Sequence, residues 1–230
     1  MNKSLVFVSL AALATLASCG PKWQETATEN GYNLITQKGG KTLGYSPSSG
    51  VTILQDKGFA FKDLNRNGVL DKYEDWRLPA GVRAADLAAQ LDIDEIAGLM
   101  LYSAHQAIPG GGSGARGGFG GATYNGMSRQ EAGAKSSDIN DQQKKFLKED
   151  NLRHVLVTTL ESPAVAAEWN NNVQAFVESF GHGIPANNSS DPRHGASATA
   201  EYDAGNGGTI SLWPSSIGMA ATFDPELVEK

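Results

Sequence analysis

The chain has 230 residues, 40% of them hydrophobic and 19% charged, an ordinary globular balance with room for one or two domains. Its formal charge of -6 argues against a polyanionic partner such as nucleic acid. A single cysteine excludes an internal disulfide framework, and the 27 glycines are clustered rather than spread.

The chain opens with Met1-Asn2-Lys3, an apolar run from Leu5 to Leu16, and the small-residue stretch Leu16-Ala17-Ser18-Cys19. The apolar run is too short to cross a bilayer as a mature helix and fits a signal-peptide core over residues 1–18. Leu-Ala-Ser-Cys resembles a bacterial lipobox, in which Cys19 is lipidated and becomes the first mature residue. The expectation is an acyl-anchored protein of the bacterial cell envelope, on the outer-membrane or periplasmic side. Gly20 does not resemble an inner-membrane retention signal, which leans the reading to the outer membrane.

Residues 19–60 read as a polar tether and lead-in, with Gly39-Gly40 and the Ser46 to Gly50 cluster. Within it, 51–61 has the makings of a short hairpin. Residues 61–79 hold the sharpest local motif, Asp63-Leu64-Asn65-Arg66-Asn67-Gly68-Val69-Leu70-Asp71-Lys72-Tyr73-Glu74, which fits the calcium-loop pattern D-x-[DN]-x-[DN]-G-x5-E. A hard cation wants oxygen ligands. Asp63, Asn65, Asn67 and Glu74 offer side-chain oxygens, Val69 a backbone carbonyl, and Asp71 the position often bridged by water. The competing reading is an Asx-rich turn of the same local geometry without metal. No clear helix precedes Asp63 and no second loop accompanies it, so the expectation is an EF-hand-like structural Ca²⁺ site rather than a calcium sensor.

From Asp94, the residues Ile96, Leu99 and Met100 recur at helical spacing, with Asp92 or Asp94 as N-cap and Glu95 in the first turn. Pro109 to Gly121 is a glycine-rich loop with neither a P-loop nor a dinucleotide fingerprint. Asp138 to Leu147 reads as a polar helix. His154 to Leu160 is a β-branched apolar run of strand length. Ser162-Pro163 then starts a helix whose face is Val165, Ala166, Trp169, Val173, Phe176, Val177 and Phe180. Gly183 to Asn188 leads into a second strand, and Asp224-Pro225-Glu226 opens another helix. Strand, helix, strand, helix start is a parallel α/β arrangement.

Other chemistries find little support. His105, His154 and His182 share no ligand spacing, and neither His-x-x-x-His nor Cys-x-x-Cys occurs, which argues against a transition-metal site. No Gly-x-Ser-x-Gly elbow is present for Ser-His-Asp hydrolysis. Trp76, Trp169 and Trp213 read as core or interface aromatics, with sugar stacking an alternative for Trp213.

The words Asp191-Pro192-Arg193-His194-Gly195, then Trp213-Pro214-Ser215-Ser216 running on to Asp224-Pro225-Glu226, resemble the N-terminal barrel domain of family 3 glycoside hydrolases, the β-glucosidase and β-xylosidase family. The resemblance covers Asp63 to Trp76, Asp94 to Gln106 and roughly Asn151 to Val228. It implies that residues 86–230 are the N-terminal fragment of a (β/α)8 TIM-type barrel, preceded by the signal peptide and the EF-hand-like loop. It further implies that Asp191, at a strand's C-terminal end, accepts hydrogen bonds from sugar hydroxyls, with Arg193 and His194 orienting its loop. The activity so implied is retaining, exo-acting, β-glucosidase-like hydrolysis of β-linked oligosaccharides, without a cofactor for catalysis. The family's nucleophile and acid/base match no position before Lys230, so no catalytic residue is assigned. The chain alone is expected to be inactive and, with two barrel strands, poorly stable. The alternative is a non-catalytic glycan-binding envelope lipoprotein.

Overall fold

A computed structural model describes residues 21–110, 122–189, 214 and 216–229. Strands β1 (Trp23–Ala27), β2 (Asn33–Gln37) and β3 (Leu43–Tyr45) pair antiparallel in that order. A 3-10 turn (Pro47–Ser49) leads to the hairpin β4 (Thr52–Asp56) and β5 (Phe59–Asp63). The hairpin is the one expected at 51–61. Its two-residue turn, Lys57 at φ 50° and Gly58 at φ 85°, has the positive φ pair that matches strand twist.

The antiparallel sheet corrects the reading of 19–60 as a tether. Its strands are short and polar, and Ile35 is its one fully buried side chain, so the hydrophobic alternation is too thin to register. Tertiary bonds hold it instead. The Gln37 carboxamide donates to the Ala60 carbonyl at 3.2 Å and accepts from its amide at 2.9 Å, tying β2 to β5. Trp76 seals the junction: its ring stacks on Phe61 at 5.2 Å and its indole N–H donates to Ala60.

Helix α1 (Ala80–Ala88) follows Pro79, and the expected domain start at residue 86 falls inside it. Helix α2 (Ile93–Leu99) is capped by Asp92, whose carboxylate accepts from the Glu95 amide while Glu95 returns a bond to the Asp92 amide. Strand β6 (Gln106–Ile108), helix α3 (Asp141–Lys148), strand β7 (His154–Leu160), helix α4 (Pro163–Glu178) and strand β8 (Asn187–Ser189) form the α/β part. The short helices α5 (Ser216–Ala220) and α6 (Pro225–Glu229) follow, the latter with Asp224 capping Leu227.

The sheet β6-β7-β8 is parallel on both sides of β7, with Gln106 opposite Val157 and His154 opposite Asn187. Three parallel strands therefore stand where two were expected. Gln-Ala-Ile is too short and too polar to read as a strand, and only pairing with β7 makes it one. Trp169, Val173 and Val177, four residues apart along α4, are buried against Val155 and Val157 of β7. Leu147, Leu152, Ile108 and Ile139 close this core, and removing Trp169 from it would cost about 3–5 kcal/mol. No described helix is long and apolar enough to cross a membrane.

Candidate functional site at the two ends of the parallel sheet

The sheet has two distinct ends, and the acidic loop lies at the N-terminal one. At the C-terminal end, β6 stops at Ile108 and β7 at Leu160, β8 is described as far as Ser189, and the Glu161 amide donates to the Ile108 carbonyl at 2.8 Å. Asp191, Arg193 and His194 follow Ser189 in sequence and lie outside the described residues, as do Cys19 and Trp213.

The segment that delivers β8 is firmly fixed. Gln174 on α4 donates to the Ala186 carbonyl at 2.9 Å and accepts from its amide at 3.1 Å. Arg153, just before β7, donates to the carbonyls of Ile184 at 3.0 Å, Leu147 at 2.6 Å and Leu152 at 2.9 Å. Its guanidinium lies over the Phe180 ring at 5.2 Å. Burial pulls the Arg153 pKa down to about 10, and the Glu95 charge opposes that pull. Asn188 donates to the Asn170 side chain at 2.6 Å, leaving its own carbonyl oxygen buried without a partner among the described residues. On the sheet face away from the α4 core, His154 Nδ1 and the Asn187 carboxamide nitrogen meet at 3.2 Å. Sequence reading missed these supports, because a lone Arg before a strand and a Gln inside a helix carry no ligand pattern.

The N-terminal end carries the acidic loop. Asp63 is 2% exposed, and its oxygens accept from the amides of Asn67 at 3.1 Å and Gly68 at 3.0 Å. Glu74 is 4% exposed and accepts from Leu64 at 2.6 Å, Asn65 at 3.4 Å and Asp71 at 3.0 Å. Burial drives the Glu74 carboxyl upward against these bonds. Asn65 and Asn67 donate their carboxamide N–H groups to Asp71 at 2.6 and 2.9 Å. The five side chains and the Val69 carbonyl carry oxygens of the kind Ca²⁺ prefers, but as placed the two Asn carboxamides direct their N–H groups at Asp71 and would have to turn their oxygens inward to bind an ion. No group of three or more His, Cys, Asp or Glu side chains among the described residues is arranged to hold a metal.

The loop docks on the segment between α4 and β8. Arg66 donates to the carbonyls of Glu178 at 3.0 Å and Gly181 at 3.2 Å, and Lys62 pairs with Glu178. His182, in the same segment, meets Glu95 of α2 at 3.2 Å.

A parallel sheet with one helical face covered, entered through an antiparallel lead-in and an acidic loop, is the architecture of a mixed α/β domain that fits the N-terminal domain of a family 3 glycoside hydrolase. Over 183 residues, 79% of the chain, the sequence is 36% identical to the periplasmic β-glucosidase/β-xylosidase of Dickeya chrysanthemi, of which it covers 25%. Over 167 residues, 72% of the chain, it is 29% identical to a probable β-glucosidase C of Aspergillus oryzae, of which it covers 23%. No protein-family model matches the chain. The chain belongs with the N-terminal part of the family 3 glycoside hydrolases, and it spans about a quarter of the length of these curated relatives.

Proposed function

We propose that the chain serves as the sugar-gripping N-terminal part of a retaining, exo-acting, β-glucosidase-like hydrolase of the bacterial envelope. What supports this is the meeting of two facts. The sequence aligns with a periplasmic β-glucosidase/β-xylosidase, and Asp191 follows by two positions in sequence the last described residue of the parallel strand β8, Ser189. Barrel enzymes carry function at that end of their strands.

In this reading the Asp191 carboxylate accepts hydrogen bonds from adjacent hydroxyls of a terminal sugar, each charge-assisted, while Arg193 and His194 hold its loop. Arg153 and Gln174 act behind it as positioning residues for β8. Retaining hydrolysis needs a nucleophilic carboxylate and an acid/base about 5–5.5 Å apart. Neither role falls to a residue named here, so the 230-residue chain binds sugar without cutting it. Titration calorimetry with β-linked gluco- and xylo-oligosaccharides tests this directly. Binding is expected to fall at least about tenfold in Asp191→Ala, with no nitrophenol released from aryl β-glucosides by either form. Equal binding by wild type and variant would remove Asp191 from the site, and turnover by the chain itself would refute its catalytic silence.

The anchor is acyl-linked Cys19. The acidic loop holds a structural Ca²⁺ through Asp63, Asn65, Asn67, the Val69 carbonyl, Asp71 and Glu74. The oxygens these residues carry support the ion, and the loop's place beside the β8 entry gives it a stabilising role. Calcium should raise the melting temperature of the chain and give a saturable heat; flat calorimetry with no thermal shift would dismiss the ion.

A further inference from the structure

We propose that the end of the antiparallel sheet where Lys22, Lys38 and Lys41 flank the strands, together with the adjoining β4-β5 turn, is a membrane-docking face that recognises anionic phospholipid headgroups. The chain carries a net charge of -6, yet four lysines gather at the point where the described structure begins. The Lys22 amide donates to the Gly58 carbonyl at 2.8 Å, and the Lys22 carbonyl accepts from the Lys38 amide at 3.3 Å. Lys57 directly precedes Gly58 in the hairpin turn. The Lys22 side chain runs across that glycine, so close that a Cβ there would lie 3.1 Å from its Cγ. The Lys41 carbonyl is drawn in by the Gln37 side chain at 2.7 Å. Two turns and the segment leading into β1, remote in sequence, thus bring Lys22, Lys38, Lys41 and Lys57 to one end of the sheet.

All four are exposed, and none forms an ion pair among the described residues. The neighbouring acids are already engaged: Asp56 by Arg77 at 2.8 Å, and Glu25 by Asn33 at 2.6 Å and by the Tyr45 hydroxyl. A shallow cleft of about 580 Å³ opens between Lys22 and Lys38, and its lining, which includes half-exposed Trp23, contains no acidic side chain. The Trp23 indole N–H is buried without a partner among the described residues, so the ring adds apolar surface beside the basic side chains. A negatively charged surface attracts such lysines at roughly fivefold in partition per residue.

The position gives the face its purpose, and here the inference rests on the Cys19 reading. Lys22 follows the acyl-linked residue by three positions, so the anchor and the lysines would meet the same bilayer. A single tether leaves a protein free to tumble, and a basic face beside it fixes one orientation. The sheet is joined through β5 to the acidic loop, which docks between α4 and β8 at the strands' N-terminal end. Docking would therefore turn the C-terminal ends of the parallel strands away from the lipid, toward soluble glycan.

The test is vesicle partition of the full chain, comparing phosphatidylglycerol mixed into phosphatidylethanolamine with neutral phosphatidylcholine. Two variants of equal charge change are compared: Lys22→Gln/Lys38→Gln/Lys57→Gln, and Lys135→Gln/Lys145→Gln/Lys148→Gln. The first should lose on the order of a hundredfold in partition to anionic vesicles, the second less than about twofold, with wild-type binding collapsing in high salt. Equal losses from both triples, or wild-type binding indifferent to phosphatidylglycerol, would overturn the docking face. Circular dichroism melts of both variants exclude unfolding as the cause. Mass spectrometry of the mature N-terminus reads acylation of Cys19 separately, so a failed anchor and a failed face give different results.

Discussion

Adjacent carboxylates in this chain are driven in opposite directions by their surroundings. Glu74 is buried and rises despite three amide donors; Asp75 is held below its ordinary range. The cause at Asp75 is Arg77, whose side chain donates to it at 2.8 and 2.7 Å while the Arg77 amide adds a third bond at 3.0 Å. The same guanidinium lies over Phe61 at 4.6 Å and reaches Asp56, so it pins the Trp76 junction to the hairpin. A carboxyl with a depressed folded pKa binds fewer protons than in the unfolded chain as the medium turns acid. Its stabilisation is complete above the ordinary Asp value of about 3.9 and fades as pH falls through the lower folded value. Asp75→Asn should therefore melt below wild type at pH 7 by about 2–4 °C, the equivalent of roughly 1 kcal/mol for a partly exposed pair. The gap should hold down to about pH 4 and narrow only below it, as pH falls toward the depressed folded value of Asp75. A difference that stays constant through that fall would mean the loss is steric rather than electrostatic.

At the scale of elements, legibility followed how much of the signal was local. Helix α4 could be read outright: Ser162 accepts from Val165 as N-cap, Pro163 sits in the first turn, and Trp169, Val173 and Val177 keep helical spacing. The α2 cap was legible as Asp92 or Asp94, and Asp92 takes the place because it and Glu95 satisfy each other within four residues. Strand β7 announces itself through β-branched residues that belong in a buried parallel strand. What escaped were the elements made by partners. Strand β6 exists through β7, the β1-β2-β3 sheet through Gln37 and Ala60, and α1, with no buried residue, has no face to betray it. Gly98 shows the same dependence from the other side: a Cβ there would come within 2.5 Å of the Asp150 carbonyl oxygen, so α2 can lie on the turn before β7 only because that residue is glycine. Nothing in the local sequence of α2 states where the turn at Asp150 will be. The candidate site divides in the same way. The acidic loop is a contiguous motif and could be read whole, whereas the grip of Arg153 on Ile184 spans 31 positions and is visible only once the chain has folded.

For the molecule as a whole, the question is what couples the antiparallel half to the parallel half. The polar contacts are Arg66 on the carbonyls of Glu178 and Gly181, Lys62 on Glu178, and the Tyr32 hydroxyl donating to Asn172 at 3.0 Å, beside the packing of Leu64 on Gly183 and of the Tyr73 ring edge-on to His182. Arg66 holds the central place, because its cation meets carbonyls freed at the C-terminal end of α4, where the helix dipole favours positive charge. It does so from φ 62°, so the loop spends backbone strain to aim it. If this is the main hinge between halves, Arg66→Ala should cost about 1–2 kcal/mol and lower the melting temperature accordingly. The sharper expectation concerns where the structure loosens. Amide hydrogen exchange should speed up together in residues 63–74 and 178–184, on both sides of the lost contact, while the β1-β2 ladder and the Trp169 core keep their protection. Loosening confined to the loop would show that Lys62 and Tyr32 carry the junction without Arg66, and that the acidic loop is a passenger on the fold rather than its coupling.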